Sequence, residues 1–255
     1  MKSDVMTNVN PLPLDDSSPL TEVVGQRRLE KLSSTALRQQ VYFQLGNAIR
    51  AGRFQSGELL TIRGLAETLG TSTMPVREAV SRLITERALE MLPNGRMRIP
   101  QLTIERLEEL TEVRATLEGR AAALGCANMT PARFAAIRLA NERYVSAIDA
   151  MDRRSAVQAN EEMHFELYRA AGSKLLLSLI EGLWLQSGPY LAAMMNAVAE
   201  AQPAAVPERG AVHHFELLAA LSKGDAEASR AALAQDIQHA ANWYREVIFE
   251  RTPSQ

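Results

Sequence analysis

The stretch GTSTMPVREAV, residues 70 to 80, decides how the first part of the chain folds. A proline removes a backbone hydrogen bond from a helix interior, but in the first turn that amide has no partner to lose. Ser72 is a favoured N-cap residue, and we expect its hydroxyl to accept a hydrogen bond from a first-turn amide. The sequence therefore predicts a helix that begins at Ser72, contains Pro75 in its first turn and carries Arg77 shortly afterwards.

Two further helices and a hairpin surround this stretch. Apolar residues at helical spacing predict a first helix that ends near Gly52 and a short second helix that Gly70 stops. The segment RFQSGELL, residues 53 to 60, is interpreted as a turn between them. Asn94 and Gly95 lie between two short alternating runs, a strong hairpin signal. The predicted order is helix, helix, helix, hairpin.

This order is typical of a winged helix-turn-helix, which lays its second motif helix in the DNA major groove. Arg77 would then reach a guanine edge or a phosphate. The hairpin tip, Asn94, Gly95 and Arg96 with Arg98 nearby, would form a wing against the DNA backbone or minor groove. Alternatively, Arg77 is an ordinary solvated helix residue.

The rest of the chain reads as helix, with no signal for a second sheet. Leu107, Leu110, Val113 and Leu117 mark one apolar face, and further helices are predicted at 155–171, 175–199, 211–221 and 225–250. The expected fold is mainly α: a winged helix-turn-helix followed by an all-α bundle. The predicted boundaries are a disordered arm (1–33), a DNA-binding domain (34–101), a helical domain for effector binding and dimerisation (102–250) and a tail (251–255).

Charge divides along the same boundary. Residues 35–101 contain nine arginines and five glutamates, whereas residues 102–255 contain fifteen basic and twenty acidic residues. A basic segment joined to an acidic one suggests that the basic part faces a polyanion, although such a difference also arises as ordinary surface variation. The single cysteine, Cys126, suits a reducing cytosol, and no signal peptide or membrane span is expected. We expect a cytoplasmic protein.

Residues 36–101 resemble the winged helix-turn-helix of the GntR family of transcriptional regulators. The resemblance lies in AIRAGRFQSGELLTIRGLAETLG and TSTMPVREAVSRLITERALEMLPNGRMRI, with the Pro-Val-Arg-Glu-Ala core the most specific part. It implies DNA contacts from Arg63 on the second helix and Arg77 on the third, beside Ser72. A third arginine usually follows the serine, and this chain has Thr73 there.

Residues 102–250 resemble the FCD effector domain of the FadR-type subgroup. Three segments carry the resemblance: EELTEVRATLEGRAAALGCANMT, NEEMHFELYRAAGSKLL and HFELLAALSKGDAEASRAAL. It implies an all-helical domain that binds a small-molecule effector.

Four polar residues on the predicted helices suggest a metal site. Asn160 and His164 are four residues apart and share a helix face, while His214 lies on a later helix and Asp236 on the helix after that. A bundle can point such groups inward, and this donor set suits Zn²⁺, Ni²⁺ or Mn²⁺. In metal-binding members of the subgroup the positions are typically Asp or Asn, then three histidines, and Asp236 stands at the last. His239 and His213 are rival ligands. Alternatively, the histidines are ordinary core residues.

Arg114 and Glu118 form another pair at four-residue spacing. The resemblance implies that Arg114 lies near the effector cavity, where a guanidinium holds a carboxylate through two hydrogen bonds. We therefore expect a small organic acid as effector. The alternative is a surface ion pair that contributes a few tenths of a kcal/mol, roughly.

These predictions favour a ligand-responsive DNA-binding transcriptional regulator that acts as a homodimer on a pseudo-palindromic operator. Repression is the more common outcome in the family that the chain resembles. Two alternatives stay open. One is a metal-dependent hydrolase using the two histidines, Asp236 and Glu161 or Glu162, although the chain lacks the usual hydrolase motifs. The other is a DNA-binding protein without a ligand, which an apolar bundle interior would favour.

Overall fold

The computed structural model describes residues 36–200 and 211–250. The predicted arm (1–33) and tail (251–255) lie outside the described residues. The chain forms a small N-terminal head of helices and short strands, followed by a bundle of long helices.

The head follows the predicted order, with one added strand. Helix α1 spans residues 36–50. It is followed by β1 (Leu59–Leu60), α2 (Ile62–Thr68), α3 (Thr73–Thr85), β2 (Glu90–Met91) and β3 (Met97–Arg98). The strands form an antiparallel sheet in the order β1-β3-β2. Strand β1 lies in the segment that the sequence predicts as a turn. Two residues are too few to show an alternating pattern, and this strand is recognised only by its pairing with β3.

The turn between α2 and α3 is a Schellman motif. Gly70 adopts a left-handed φ of 61°, and the amides of Gly70 and Thr71 donate to the carbonyls of Glu67 and Ala66. The next helix starts after Ser72, as predicted, but the predicted cap bond is wrong: the Ser72 side chain makes no capping hydrogen bond. Ser72 has extended backbone geometry, so the helix start is defined by the turn and by the buried Pro75.

The apolar faces predicted for the head meet in one core. This core contains the inward residues of α1, α2 and α3, together with Met97 of β3 and Ile99 just after it, which are fully buried. On α3 the buried residues after the proline are Val76, Ala79, Val80 and Leu83, as the spacing predicted. Arg77 and Glu78 consequently face solvent.

In the described part of the chain, the bundle consists of six helices. These are α4 (Ile104–Ala127), α5 (Pro131–Asp149), α6 (Arg153–Ala170), α7 (Lys174–Glu200), α8 (Val212–Lys223) and α9 (Ala226–Arg245), with a π-helical turn at Glu246–Glu250. The predicted stop and start between α8 and α9 is confirmed. Gly224 has a φ of 69°, and the Asp225 side chain caps α9 by accepting from the amide of Ala228 at 2.9 Å.

One predicted helix face is partly wrong. Leu107 and Leu110 of α4 are buried, but Val113 is 40% exposed. The face that α4 turns inward also carries two polar residues, Thr111 and the fully buried Glu118, among its apolar ones. An apolar pattern alone therefore misplaces the inward face of α4.

Helix α7 joins the bundle to the head. Its Leu185 is buried within the head core. One turn later Gly188 packs so closely on α1 that a Cβ atom there would overlap the carbonyl oxygen of Ile49. The middle of α7 therefore belongs to both regions.

Across the described ranges, no helix combines the length and the apolar character that crossing a lipid bilayer requires.

Candidate DNA-binding surface and metal centre

The residues predicted to contact DNA all lie on the surface of the head. Arg63 of α2, together with Ser72, Thr73 and Arg77 at the start of α3, is exposed. The exposed wing tip contributes Asn94, Gly95 and Arg96. The structure thus exposes every one of these residues to solvent.

Several other head arginines are occupied by ion pairs. Arg38 pairs with Glu78 at 2.9 Å and Arg82 with Glu86 at 2.9 Å. Arg98, which the sequence places near the wing tip, is bound across the sheet to Glu90 at 2.7 Å. Among the described residues, by contrast, Arg63, Arg77 and Arg96 form no ion pair. These three guanidinium groups are available to a polyanion.

The wing tip has a defined conformation. The amide of Leu92 donates to the carbonyl of Arg96 at 2.8 Å, and Gly95 has a φ of 76° that favours glycine. The Asn94 side chain accepts from the amide of Arg96 at 3.0 Å, a local bond typical of turn asparagines. The Arg96 side chain therefore projects from an ordered hairpin.

The bundle encloses a buried polar centre. Every buried polar or charged side chain of the described residues lies in the bundle: Thr111, Glu118, Asn141, His164, His214 and Ser229. Burial of such groups is costly unless they have partners. The buried polar groups of the bundle therefore need specific hydrogen-bond partners.

Three of the predicted metal ligands meet at this centre. The Nε2 atom of His164 lies 3.4 Å from Oδ2 of Asp236, and Nε2 of His214 lies 3.6 Å from Oδ1. One ligand atom from each residue can be chosen so that all lie within 4.8 Å of one another. Ligand atoms of a tetrahedral zinc ion are separated by about 3.3 Å, given bonds of about 2.0 Å. The two distances from the histidines to Asp236 are close to that value.

The remaining candidates lie around this cluster. Asn160 is half-buried on α6, one turn before His164, and its role as a ligand stays a prediction. The rival ligands His213 and His239 hydrogen-bond to each other at 3.2 Å, and His213 also contacts Glu216. The cluster contains Asp236 rather than either rival.

Burial determines the charges of the centre. It lowers the pKa of His164 to about 3, with a further contribution from Arg114, and lowers the pKa of His214 well below its usual value. It raises the pKa of Asp236 to about 7. At neutral pH both imidazoles are therefore uncharged, which is the form that binds a metal ion.

Arg114 forms the predicted pair with Glu118, but inside the protein. Its Nε and Nη2 atoms donate to the two carboxylate oxygens of Glu118 at 2.6 and 3.3 Å, and Nη1 donates to Ser187 at 3.4 Å. Glu118 is fully buried, so the alternative of an exposed surface pair is wrong. Burial alone would lower the pKa of Arg114, but the Glu118 carboxylate reverses this and the net shift is upward.

Two residues that sequence reasoning misses, Tyr168 and Asn141, hydrogen-bond to the histidines. Nδ1 of His164 lies 2.8 Å from the hydroxyl of Tyr168, which in turn donates to Glu118. Nδ1 of His214 lies 3.0 Å from Oδ1 of Asn141. Tyr168 stands four residues after His164, so its spacing was a usable signal, whereas Asn141 is separated from His214 by 73 residues.

The chain matches two families over successive regions. The family described as "Bacterial regulatory proteins, gntR family" matches residues 37–99, and the FCD domain matches residues 109–239. The HTH-type transcriptional regulator McbR of Escherichia coli K12 is 32% identical over 82% of this chain and 92% of its own length. The HTH-type transcriptional repressor GlaR of the same strain is 26% identical over 58% of this chain and 70% of its own length.

The solved structure of E. coli McbR/YncC agrees with this fold. It superimposes with a TM-score of 0.76 at 30% identity and covers 82% of this chain and 97% of its own. Members of these families regulate transcription and are not enzymes, so the hydrolase alternative is wrong. The chain belongs to the GntR family of bacterial DNA-binding transcriptional regulators, among the members that carry an FCD domain.

Proposed function

We propose that this regulator is a repressor whose helical domain binds a divalent metal ion and a small organic acid. Residues 34–101 form the DNA-binding domain, and residues 102–250 form the domain for effector binding and dimerisation. A homodimer presents two heads to a pseudo-palindromic operator in the cytoplasm, because two-fold protein symmetry calls for two-fold sites. The repressor GlaR is a relative that supports this direction of control.

Arg63, Arg77 and Arg96, which are exposed and form no ion pair among the described residues, support the DNA contacts. Arg77 lies in the first turns of the recognition helix and reads base edges, with Ser72 and Thr73 beside it on phosphates. Arg63 binds the backbone from α2, and Arg96 does so from the wing with Asn94 and Gly95. The absence of ion-pair partners among the described residues leaves these groups their full charge for the DNA.

A single observation carries the metal proposal: ligand atoms of His164, His214 and Asp236 lie within 4.8 Å of one another, and one of them is buried without a hydrogen-bond partner. Nε2 of His164 is buried and has no hydrogen-bond partner, although Asp236 lies 3.4 Å away. A buried polar atom without a partner is costly, and an ion would satisfy it. His164, His214 and Asp236 would hold Zn²⁺, Ni²⁺ or Mn²⁺, with Asn160 as the fourth ligand.

The effector site would lie against this centre. When bound, the metal supplies an electrophilic position for a carboxylate oxygen. Arg114 already uses two nitrogens on Glu118, so it assists a carboxylate effector mainly through its positive charge. The polar interior also argues against a DNA-binding protein without a ligand, for which an apolar bundle interior was expected.

DNA-binding measurements test the proposal. Fluorescence anisotropy is recorded with the DNA upstream of the gene and with random DNA at the same salt concentration. We expect much tighter binding to the upstream DNA, and release by a carboxylate found in a thermal-shift screen of metal-loaded protein. Equal affinity for the two DNAs would refute the operator proposal, and hits confined to other chemical classes would refute the organic acid.

A further inference from the structure

Both histidines of the metal centre turn one ring nitrogen away from Asp236, and in each case a buried side chain meets it. For His164 this side chain is Tyr168, and for His214 it is Asn141. Tyr168 is 1% exposed and Asn141 2% exposed, so water does not compete for these bonds.

The direction of the first bond follows from its neighbours. Glu118 is a carboxylate paired with Arg114, so it can only accept hydrogen bonds. The Tyr168 hydroxyl therefore uses its single proton on Glu118. Its oxygen must then accept from His164, which places the imidazole proton on Nδ1. Nε2 is left with a free lone pair.

The second bond leads to the same result on the other side. The Oδ1 atom of Asn141 lies 3.0 Å from Nδ1 of His214 and can only accept. With the Asn141 amide in this orientation His214 donates from Nδ1, so its Nε2 also carries a lone pair. That atom lies 3.6 Å from Asp236.

We propose that Tyr168, held by Glu118 and Arg114, and Asn141 are positioning residues that preset both imidazoles to bind a metal ion through Nε2. The proposal rests on the metal site proposed above. The Arg114–Glu118 pair thereby acts as the anchor of a hydrogen-bond chain that ends at the first metal ligand. It orders the site before the ion arrives.

Such outer partners have a large influence on metal sites. They fix the tautomer and the ring orientation and raise the basicity of the ligand, and their loss weakens metal affinity by about 10- to 100-fold. Replacing Tyr168 with phenylalanine preserves the ring packing against Phe165 and Trp184 and removes only the hydroxyl. This variant separates positioning from packing.

The tautomers can be measured without any metal. The chain contains four histidines, so long-range ¹⁵N–¹H spectra of histidine-labelled, chelator-treated protein are simple to interpret. We expect His164 and His214 to be in the Nδ1–H form, and we expect His164 to lose this form in Tyr168→Phe. Finding the Nε2–H form at His164 or His214 in the wild type would overturn the proposal.

Zn²⁺ titration then tests the consequence. Tyr168→Phe and Asn141→Leu should each bind Zn²⁺ about 10- to 100-fold more weakly than the wild type. Tyr190→Phe is the matched control, because Tyr190 is equally buried but donates to the backbone carbonyl of Thr103. It should bind Zn²⁺ with unchanged affinity.

The outcomes separate this inference from the function on which it rests. Wild-type protein that has the Nδ1–H tautomers but binds no metal would refute the metal site itself. Zn²⁺ binding that is as tight in the folded Tyr168→Phe and Asn141→Leu variants as in the wild type would refute the positioning role and leave the metal site standing. If Tyr168→Phe fails to fold, Asn141→Leu and the wild-type tautomers still decide the question.

Discussion

The head and the bundle distribute their polar groups in opposite ways. The core of the head is entirely apolar, and its unpaired arginines face solvent. The bundle buries a carboxylate, two imidazoles and an amide at its centre. The head therefore suits a large external polyanion such as DNA, and the bundle suits a small ligand that enters the protein.

This difference also predicts where substitutions act. In the head, a change to an exposed arginine should alter DNA binding and leave the fold intact. In the bundle, a change to a central polar residue should alter stability and ligand binding together. Each buried group there depends on its neighbours to compensate for the cost of its desolvation.

The largest effect is expected from breaking the buried ion pair. Glu118→Gln leaves the Arg114 charge buried without a counterion, which typically costs about 3–5 kcal/mol. The exposed pair Arg138–Glu142 has the same four-residue spacing, so Glu142→Gln is a matched control and should cost no more than about 0.5 kcal/mol. Denaturant unfolding of chelator-treated protein measures both, and equal losses would contradict the contrast between inside and outside.

A second prediction concerns the junction of the two regions. Gly188→Ala introduces a Cβ that overlaps the carbonyl of Ile49, so the head should be pushed from α7 at a cost of about 1–3 kcal/mol. Gly182→Ala on the same helix meets no atom within 4 Å and should stabilise the helix by up to about 1 kcal/mol. Thermal unfolding compares the two variants. A gain of stability in Gly188→Ala would contradict the close packing of α7 on α1 at this position.

A third prediction concerns the outward charges. Arg77→Ala should weaken binding to the operator by about 1–3 kcal/mol and reduce the preference over random DNA, because the arginine contacts base edges. Arg133→Ala removes an equally exposed arginine from the bundle and should leave that preference unchanged. Anisotropy at constant salt measures both, and an identical response of the two variants would argue against base contacts from Arg77.

The pH dependence of metal binding should reflect Asp236. Burial raises the pKa of Asp236 to about 7 in the metal-free protein, so below that pH a proton must leave before the carboxylate binds an ion. Zn²⁺ affinity should therefore fall about tenfold for each pH unit below 7 and level off above it. Calorimetry in two buffers of different ionisation enthalpy should detect the released proton. Affinity that does not change between pH 6 and pH 8 would contradict this.

Much of the fold could be predicted because local signals determine it. The Gly70 turn, the start of α3 after Ser72 and the cap at Asp225 depend on neighbouring residues, so the sequence contains what is needed. Strand β1 and the inward face of α4 depend on distant partners. For this reason β1 was interpreted as a turn and the exposed Val113 was predicted to be apolar core.

The candidate site shows the same division. Helical spacing and the family resemblance predict a metal site that includes His164, His214 and Asp236, and the structure places these three residues together. Tyr168 was overlooked because a tyrosine within an apolar pattern resembles core. Asn141 was overlooked because only the packing of α5 against α8 brings it to His214.

Measuring the metal content of the protein is the most direct test of a metal site at His164, His214 and Asp236. The wild type and the double variant His164→Ala/His214→Ala are purified without chelators, titrated with Zn²⁺, Ni²⁺ and Mn²⁺, and analysed by native mass spectrometry. The account predicts about one divalent ion per wild-type chain and none in the double variant. A wild-type protein that retains none of the three ions would contradict it.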